Sequence, residues 1–128
     1  MKQEYIIDGL ARPISHYCDA VRFGNLLFVS GIAPTDAQGN IVGGDDVVEQ
    51  TRQVFRNMKR VLDANAATFA DILKVTVYLL DVDDRAKINP VRREYFGDAR
   101  PASTLIGVNE LAIPGMKVEI EAVVGLRE

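Results

Sequence analysis

The sequence contains few of the residues that cross-link small proteins or bind structural metals. Among its 128 residues there are one cysteine, Cys18, and one histidine, His16. A single cysteine cannot form an internal disulfide, and one cysteine with one histidine falls short of the ligand set of structural zinc. We therefore expect no disulfide and no zinc site, and we interpret Cys18 as a small buried apolar group.

The sequence also lacks a basic excess and any long apolar run. Its 15 Lys and Arg against 18 Asp and Glu leave a formal charge of -3, whereas nucleic-acid surfaces normally carry an excess of positive charge. No apolar stretch approaches the length of a membrane span, and the start of the chain does not resemble a secretory signal. We expect a cytoplasmic protein with no membrane partner, and the charge disfavours nucleic acid as a partner.

No repeat, low-complexity tract or linker interrupts the chain, so residues 1–128 are predicted to form one domain. A short strand is predicted at residues 4–7. Two further strands, at residues 19–23 and 26–30, flank Gly24-Asn25, a dipeptide that suits a tight turn. The first part of the chain is therefore predicted to be a short strand followed by a hairpin.

Two helices are predicted from periodicity and end signals. Apolar residues between positions 47 and 62 recur at steps of three and four with charged residues opposite them, and Asp45 is placed to cap this helix. A second helix is predicted from about residue 84 to 96, with Pro90 near its first turn and Gly97 at its end. The longer helix has the stronger pattern.

The remaining segments predict strands and complete an α+β fold. Residues 73–82 alternate as a strand that is apolar on much of both faces, with Leu73 predicted on the same face as Val75. Residues 104–108 and 117–124 predict two last strands around a turn-forming loop. This order predicts a mixed sheet with both helices on one face, and self-association as the natural cover for the other face.

The last strand carries two carboxylates on one face. Period-two alternation makes Glu119 and Glu121 neighbours, roughly 7 Å apart along the strand. Burial and a nearby like charge raise the pKa of a carboxyl group, which suits it for proton transfer. The alternative interpretation is a solvated outer face, which is common for surface carboxylates. Glu119 is the stronger catalytic candidate of the two.

Two short polar segments are further candidates. In Arg100-Pro101-Ala102-Ser103-Thr104, a rigid turn and two hydroxyls precede a strand and are suited to meet an anion, although most such hydroxyls satisfy their own backbone. His16 and Tyr17 precede Cys18, but adjacent residues of an extended segment point to alternate sides. A Cys-His dyad is therefore not expected, and the role of His16 stays open.

Several segments together resemble the RidA/YjgF family of enamine and imine deaminases. The likeness spans almost the whole chain, and the proline-alanine turn followed by the Val-Glu-Ile-Glu-Ala strand is its most specific part. The matching segments are Tyr17 with Ala20-Val21, Phe28-Val29-Ser30-Gly31 with Pro34, Asn89 ahead of Tyr95-Phe96, Arg100-Pro101-Ala102-Ser103-Thr104, and Val118-Glu119-Ile120-Glu121-Ala122.

The resemblance implies a fold and an activity. It implies a chorismate-mutase-like α+β subunit, assembled as a homotrimer with the sheets forming an inner barrel and three ligand clefts between subunits. Deaminating members of the family hydrolyse enamines and imines such as 2-aminoacrylate to keto acids and ammonia, without a metal or cofactor. We accordingly expect a small-molecule ligand, a homotrimer and no cofactor.

The resemblance also implies site residues, with one clear departure. Matches to cleft positions are Tyr17, Ser30, Gly31, Asn89 and Glu119, and by resemblance Glu119 handles the attacking water while Tyr17 lines the pocket. The family's carboxylate-binding arginine, two positions after the turn's proline, is replaced here by serine. Serine lacks the fixed charge and paired donors of arginine.

Three residues are candidates to compensate for that serine, Ser103. Arg92 and Arg100 are candidate replacements for the missing cation. His16, where family segments have a proline before the tyrosine, is a candidate additional donor or base. These departures point to an altered ligand.

Three functions follow as hypotheses. The first is hydrolysis of an imine, an enamine or a related carbonyl compound, with Glu119 as base and with Ser103, Thr104 and Arg92 contacting the substrate. The second is binding of a small carboxylate without turnover, which the loss of the arginine favours. The third, endoribonuclease activity, is a label the family also carries, and the acidic balance argues against it because RNA binding depends on Lys and Arg clusters.

Overall fold

One mixed sheet of six strands forms the centre of the protein. The computed structural model describes residues 1–127. The strands are β1 Gln3–Tyr5, β2 Ala20–Phe23, β3 Leu26–Ile32, β4 Ile72–Leu79, β5 Ala102–Gly107 and β6 Val118–Gly125. Their order in the sheet is β1-β2-β3-β6-β4-β5, and all neighbouring strands are antiparallel except β4 and β5, which are parallel. The helices are α1 Val47–Asp63 and α2 Arg85–Phe96.

Both helices pack their apolar residues into one core against one face of this sheet. On α1, Phe55 and Met58 are almost completely buried, and on α2 Ile88 is buried in the same cluster. The rings of Phe55 and Tyr95, one from each helix, lie 5.1 Å apart between centroids. The α+β prediction with two helices on one face is confirmed, and the predicted hairpin turn at Gly24-Asn25 connects β2 to β3.

The cap of α1 differs from the prediction by one residue. Asp46 is the N-cap, and its side chain accepts hydrogen bonds from the backbone N–H groups of Val48 and Glu49. The predicted cap, Asp45, is instead exposed and lies 3.7 Å from the ammonium group of Lys117. Two consecutive aspartates offer the same capping chemistry, so the path of the preceding turn decides between them.

Pro90 lies inside α2 rather than near its first turn, and that prediction is wrong. A 3-10 turn at Val82–Asp84 precedes the helix, so α2 begins at Arg85 without a proline in its first turn. Proline removes one backbone donor and leaves the carbonyl group four residues earlier unpaired. Here both Pro90 and Ala86 are exposed, so water can satisfy that carbonyl group.

Strand β4 breaks its alternation at Leu73. Ile72 and Val75 are buried, whereas Leu73 is 51% exposed, and the pairing with β6 shifts register between Ile72 and Lys74. The prediction that Leu73 shares a face with Val75 is therefore wrong, because a bulge re-aims the side chain. The strand also ends at Leu79, before the 3-10 turn, rather than at residue 82.

The second face of the sheet is open and partly apolar. Phe28, Leu73 and Ile106 are 47%, 51% and 40% exposed, respectively, while Glu119 and Glu121 are half-buried. An exposed face of this character marks a surface that another molecule covers. Its cover by further copies of the chain stays a prediction.

Gln50 of α1 joins three separate parts of the chain inside the core. Its side chain is fully buried, and its amide nitrogen donates to the carbonyl groups of Gly44 at 2.7 Å and Gly115 at 2.8 Å. Its amide oxygen accepts from the backbone N–H of Lys117 at 2.8 Å. All polar groups of a buried amide are thereby hydrogen-bonded, as burial requires.

Within residues 1–127, neither helix combines the length and the apolar character needed to cross a bilayer.

Candidate functional site

Glu119 projects from β6 on the face opposite the helices and packs against the backbone of β3. Its cross-strand neighbour on β4 is Tyr78. A Cβ atom placed on Gly31 would lie 2.7 Å from the carboxyl carbon of Glu119, closer than real contacts allow. Any other side chain at residue 31 would therefore displace the Glu119 carboxyl group from its position beside β3.

The surroundings of Glu119 favour its neutral form. Burial raises the pKa of Glu119, and the negative charge of Glu121 raises it further. The hydroxyl group of Tyr78 donates to Oε1 of Glu121 at 3.0 Å, and this bond raises the pKa of the Tyr78 phenol. The three side chains form a polar cluster on an otherwise partly apolar face, and Glu119 is the carboxyl group whose pKa is raised.

A cavity of about 310 Å³ lies beside Glu119, and we call it the glutamate cavity. Among the residues predicted for the site, it brings together Tyr17, Ser30, Gly31 and Glu119. Apolar side chains, including those of Ile14, Ile113 and Met116, form much of the remaining wall. This combination of a few polar groups in an apolar concavity is typical of small-molecule sites.

The polar groups around Tyr17 are mostly committed to the backbone. The hydroxyl group of Ser30 donates to the Cys18 carbonyl at 2.6 Å, so toward a ligand it can only accept a hydrogen bond. The Cys18 thiol is half-buried and donates to the Ala20 carbonyl at 3.4 Å. His16 is exposed and is not among the residues that line the cavity.

Sequence reasoning missed five polar residues of the glutamate cavity, which are Arg12, Asp19, Thr35, Gln38 and Asn57. Asp19 is buried and accepts from the backbone N–H of Ile7 at 2.8 Å, and burial raises its pKa. A carboxylate at the start of a buried strand was a signal for Asp19. Arg12, in an irregular loop, carried no such signal.

Asn57 anchors the wall of the cavity from α1. Its amide nitrogen donates to the carbonyl groups of Ala33 at 3.0 Å and Thr35 at 2.9 Å, in the segment after β3. The sequence did carry a signal here, because Asn57 follows Val54 by three residues and so interrupts the apolar stripe of the helix. A buried amide needs partners, and these carbonyl groups supply them.

A second cavity of about 700 Å³ contains most of the other predicted residues, and we call it the arginine cavity. It is lined by Asn89, Arg92, Arg100 and Ser103, together with Arg93 and Asp98, which sequence reasoning missed. A guanidinium nitrogen of Arg92 donates to the hydroxyl group of Ser103 at 2.9 Å. Burial lowers the pKa of Arg92, so its cation is held where water solvates it incompletely.

The predicted residues thus fall into two groups within one subunit. The glutamate cavity and the arginine cavity have no lining residue in common. Thr104 and Glu121 line neither cavity; Thr104 is exposed on β5 beside Thr76 of β4. Within residues 1–127, neither of these cavities brings residues of both groups together.

The chemistry available is proton transfer at a carboxyl group and anion binding by guanidinium groups. Within residues 1–127, no cluster of three or more His, Cys, Asp or Glu side chains is arranged to hold a metal ion. A half-buried carboxyl group with a raised pKa serves as an acid and, after giving up its proton, as a base. Hydrolysis of small polar molecules is within reach of these groups.

Comparison with known proteins gives a consistent result. The family model described as endoribonuclease L-PSP matches residues 9–125. A RutC family protein of Pyrococcus horikoshii is 42% identical over 124 residues, covering 96% of this chain and 97% of the relative. A 2-iminobutanoate/2-iminopropanoate deaminase of Dermatophagoides farinae is 34% identical over 88% of both chains. The 3-aminoacrylate deaminase RutC of Acinetobacter baylyi is 33% identical over 96% of this chain and 98% of its own length.

Solved structures show the same fold. The YjgF protein of E. coli superimposes with a TM-score of 0.88 at 29% identity, covering 98% of this chain and 99% of that structure. E. coli TdcF with bound serine gives a TM-score of 0.85 at 30% identity, covering 97% and 100%. The sequence match and the common six-stranded architecture agree over nearly the full length, and the chain belongs to the RidA/YjgF family, which is also described as endoribonuclease L-PSP and RutC.

Proposed function

We propose that the protein hydrolyses a 2-imino acid or its enamine tautomer to a 2-keto acid and ammonia. The half-buried carboxyl group of Glu119, with its raised pKa and its position at the glutamate cavity, carries the proposal. Two relatives bear the names of deaminases that act on such compounds. The TdcF structure contains serine, a small molecule with an α-carboxylate.

The proposed reaction starts and ends with Glu119 protonated. Its proton passes to the terminal carbon of the enamine, which gives an iminium ion and a Glu119 carboxylate. That carboxylate then takes a proton from water while the water oxygen bonds to the iminium carbon. Glu119 returns this proton to the nitrogen, ammonia leaves as the carbon–nitrogen bond breaks, and the hydroxyl proton of the intermediate returns to Glu119 as the carbonyl forms. One water is consumed and one ammonia is released.

Two copies complete the proposed site. The glutamate cavity of one subunit meets the arginine cavity of a neighbour in a trimer whose sheets cover one another's open faces. Arg92 then binds the substrate carboxylate, and the Ser103 hydroxyl group orients the guanidinium group of Arg92 by accepting a hydrogen bond from it. This arrangement is consistent with the loss of an arginine at residue 103, because the cation comes from α2 instead. Asn89, Thr104 and Arg100 are placed around that contact.

The test is keto-acid release from 2-aminoacrylate that a dehydratase generates from serine in the same solution. The purified protein should release pyruvate faster than the uncatalysed reaction does, and Glu119→Gln should lower that rate by about 10²- to 10⁴-fold, the usual contribution of an acid–base group. Glu110→Gln, at an exposed glutamate, is the matched control and should leave the rate unchanged. A wild-type rate equal to background, or a Glu119→Gln rate equal to wild type, contradicts the proposal.

A second candidate function is binding without turnover, and the serine at residue 103 favours it. Serine provides no fixed charge, so a substrate carboxylate lacks the paired donors that an arginine at this position would supply. In that case pyruvate should bind with measurable heat in calorimetry while 2-aminoacrylate and 2-iminobutanoate lose ammonia only at the background rate. Pyruvate binding together with ammonia release above background excludes the candidate.

A further inference from the structure

We propose that the arginine cavity binds a ligand with two anionic groups, so that the substrate class of the protein is a 2-imino dicarboxylate. The assignment of an imine as the substrate rests on the proposed hydrolase function. The preference for two anionic groups rests instead on the charges that line the cavity.

The first observation is the environment of Arg92. Its side chain is half-buried, and its one hydrogen bond within residues 1–127 joins it to the neutral hydroxyl group of Ser103. A guanidinium group has five N–H donors, and moving a cation out of water is costly unless an anion compensates it. Residues 1–127 give Arg92 no ion pair. A bound carboxylate supplies that compensation by accepting two parallel hydrogen bonds.

The second observation is that Arg92 is not alone. Arg93 and Arg100 line the same cavity, and Asp98 is the one acidic side chain among its described lining residues. Three arginines and one aspartate leave these side chains with a formal charge of +2. None of the four forms an ion pair within residues 1–127.

This concentration of cations is unusual for the molecule that contains it. The chain has more acidic than basic residues, and within residues 1–127 six of its twelve other Lys and Arg side chains have carboxylate partners. Glu94, the sequence neighbour of Arg93, forms an ion pair with Arg52 on α1 at 2.6 Å rather than with Arg93. Helix termini account for part of this pattern, because Arg93 lies in the last turn of α2, where a cation stabilises the helix dipole. The dipole does not account for Arg92 or Arg100.

The positions of the three arginines indicate which of them binds each carboxylate of the ligand. One carboxylate meets the half-buried Arg92, and a second reaches the exposed Arg93 and Arg100 at the rim. The cavity volume of about 700 Å³ exceeds the need of a three-carbon monocarboxylate and lies within the range of small-molecule sites. The imine of aspartate is the simplest substrate with this pattern of charge.

The experiment compares succinate with butyrate, which has the same number of carbons and one carboxylate fewer, by calorimetry on the purified protein at low salt. We expect succinate to bind at least about tenfold more tightly than butyrate, the effect of one additional charge-assisted contact. Arg93→Gln and Arg100→Gln should each lower succinate affinity by a larger factor than butyrate affinity, whereas Arg92→Gln should weaken both ligands by a similar factor. Arg56→Gln, at an exposed arginine of α1, is the matched control and should change neither.

Four results would overturn the assignment. The first is equal affinity for succinate and butyrate, and the second is a succinate preference that survives the combined Arg93→Gln and Arg100→Gln change. The third is tighter binding of inorganic phosphate than of succinate. The fourth is loss of butyrate binding in Arg12→Gln but not in Arg92→Gln. The last would place the carboxylate in the glutamate cavity. Succinate preference without any imine hydrolysis supports the binding site and counts against the proposed function, so the two failures are distinguishable.

Discussion

Replacing Glu121 by glutamine should lower the pKa of Glu119. The negative charge of Glu121 contributes to raising that pKa, and glutamine removes the charge while its amide oxygen still accepts the hydrogen bond from Tyr78. At the strand spacing of roughly 7 Å, two unit charges repel by about 0.6 kcal/mol at the dielectric constant of water and about 2.4 kcal/mol at an effective value of 20. The variant lacks this repulsion, so the pKa of Glu119 should fall.

The assay is the pH dependence of keto-acid release in the two proteins. An acid with a raised pKa keeps its proton to higher pH, so removing part of the cause makes Glu119 lose its proton at lower pH. The limb of the rate profile that reports this proton should therefore move to lower pH in Glu121→Gln. A carboxyl carbon-13 titration of Glu119 gives the same shift without depending on activity. An unchanged pKa, or a higher one, would refute the argument that the two carboxylates interact across the strand.

Two other substitutions test the construction of the glutamate cavity. Gly31→Ala places a methyl group where the Glu119 carboxyl group lies, so it should displace that carboxyl group and lower activity at least about tenfold, or by about 1.4 kcal/mol. Wild-type activity in this variant would contradict the idea that the glycine fixes the position of Glu119. Asn57→Ala removes two hydrogen bonds and leaves the carbonyl groups of Ala33 and Thr35 without these partners, so urea denaturation should show a loss of about 1–3 kcal/mol, and a midpoint equal to wild type would show that the anchor contributes nothing.

Local patterns were sufficient to predict most of the fold. The three- and four-residue steps along α1, the alternation of β6 and the turn between β2 and β3 all reflect interactions within a few residues of one another. They failed where two local choices were equivalent, as with Asp45 and Asp46, or where a bulge reversed the facing of Leu73. Pairing with β6 causes that bulge, and no window along β4 contains that information.

The candidate site was predictable only in part. The facing of Glu119 follows from alternation, and the five residues matched to the family's cleft positions line one cavity or the other. Asp19 and Asn57 meet the same cavity through contacts between segments far apart in sequence, which no spacing rule reveals. The division of the residues into two cavities likewise depends on the path of the whole chain.

Gln50, which lies outside the glutamate cavity, helps to determine that Glu119 faces it. In a strand, a slip of one residue exchanges the two faces, so Val118 would stand where Glu119 stands and the acid would point into the core. The amide of Gln50 accepts from the backbone N–H of Lys117, one residue before β6 begins, and donates to Gly115 in the same loop and to Gly44 before α1. A buried, uncharged side chain thereby helps to fix the register of β6, and with it the exposure of Glu119 rather than Val118 on the open face of the sheet.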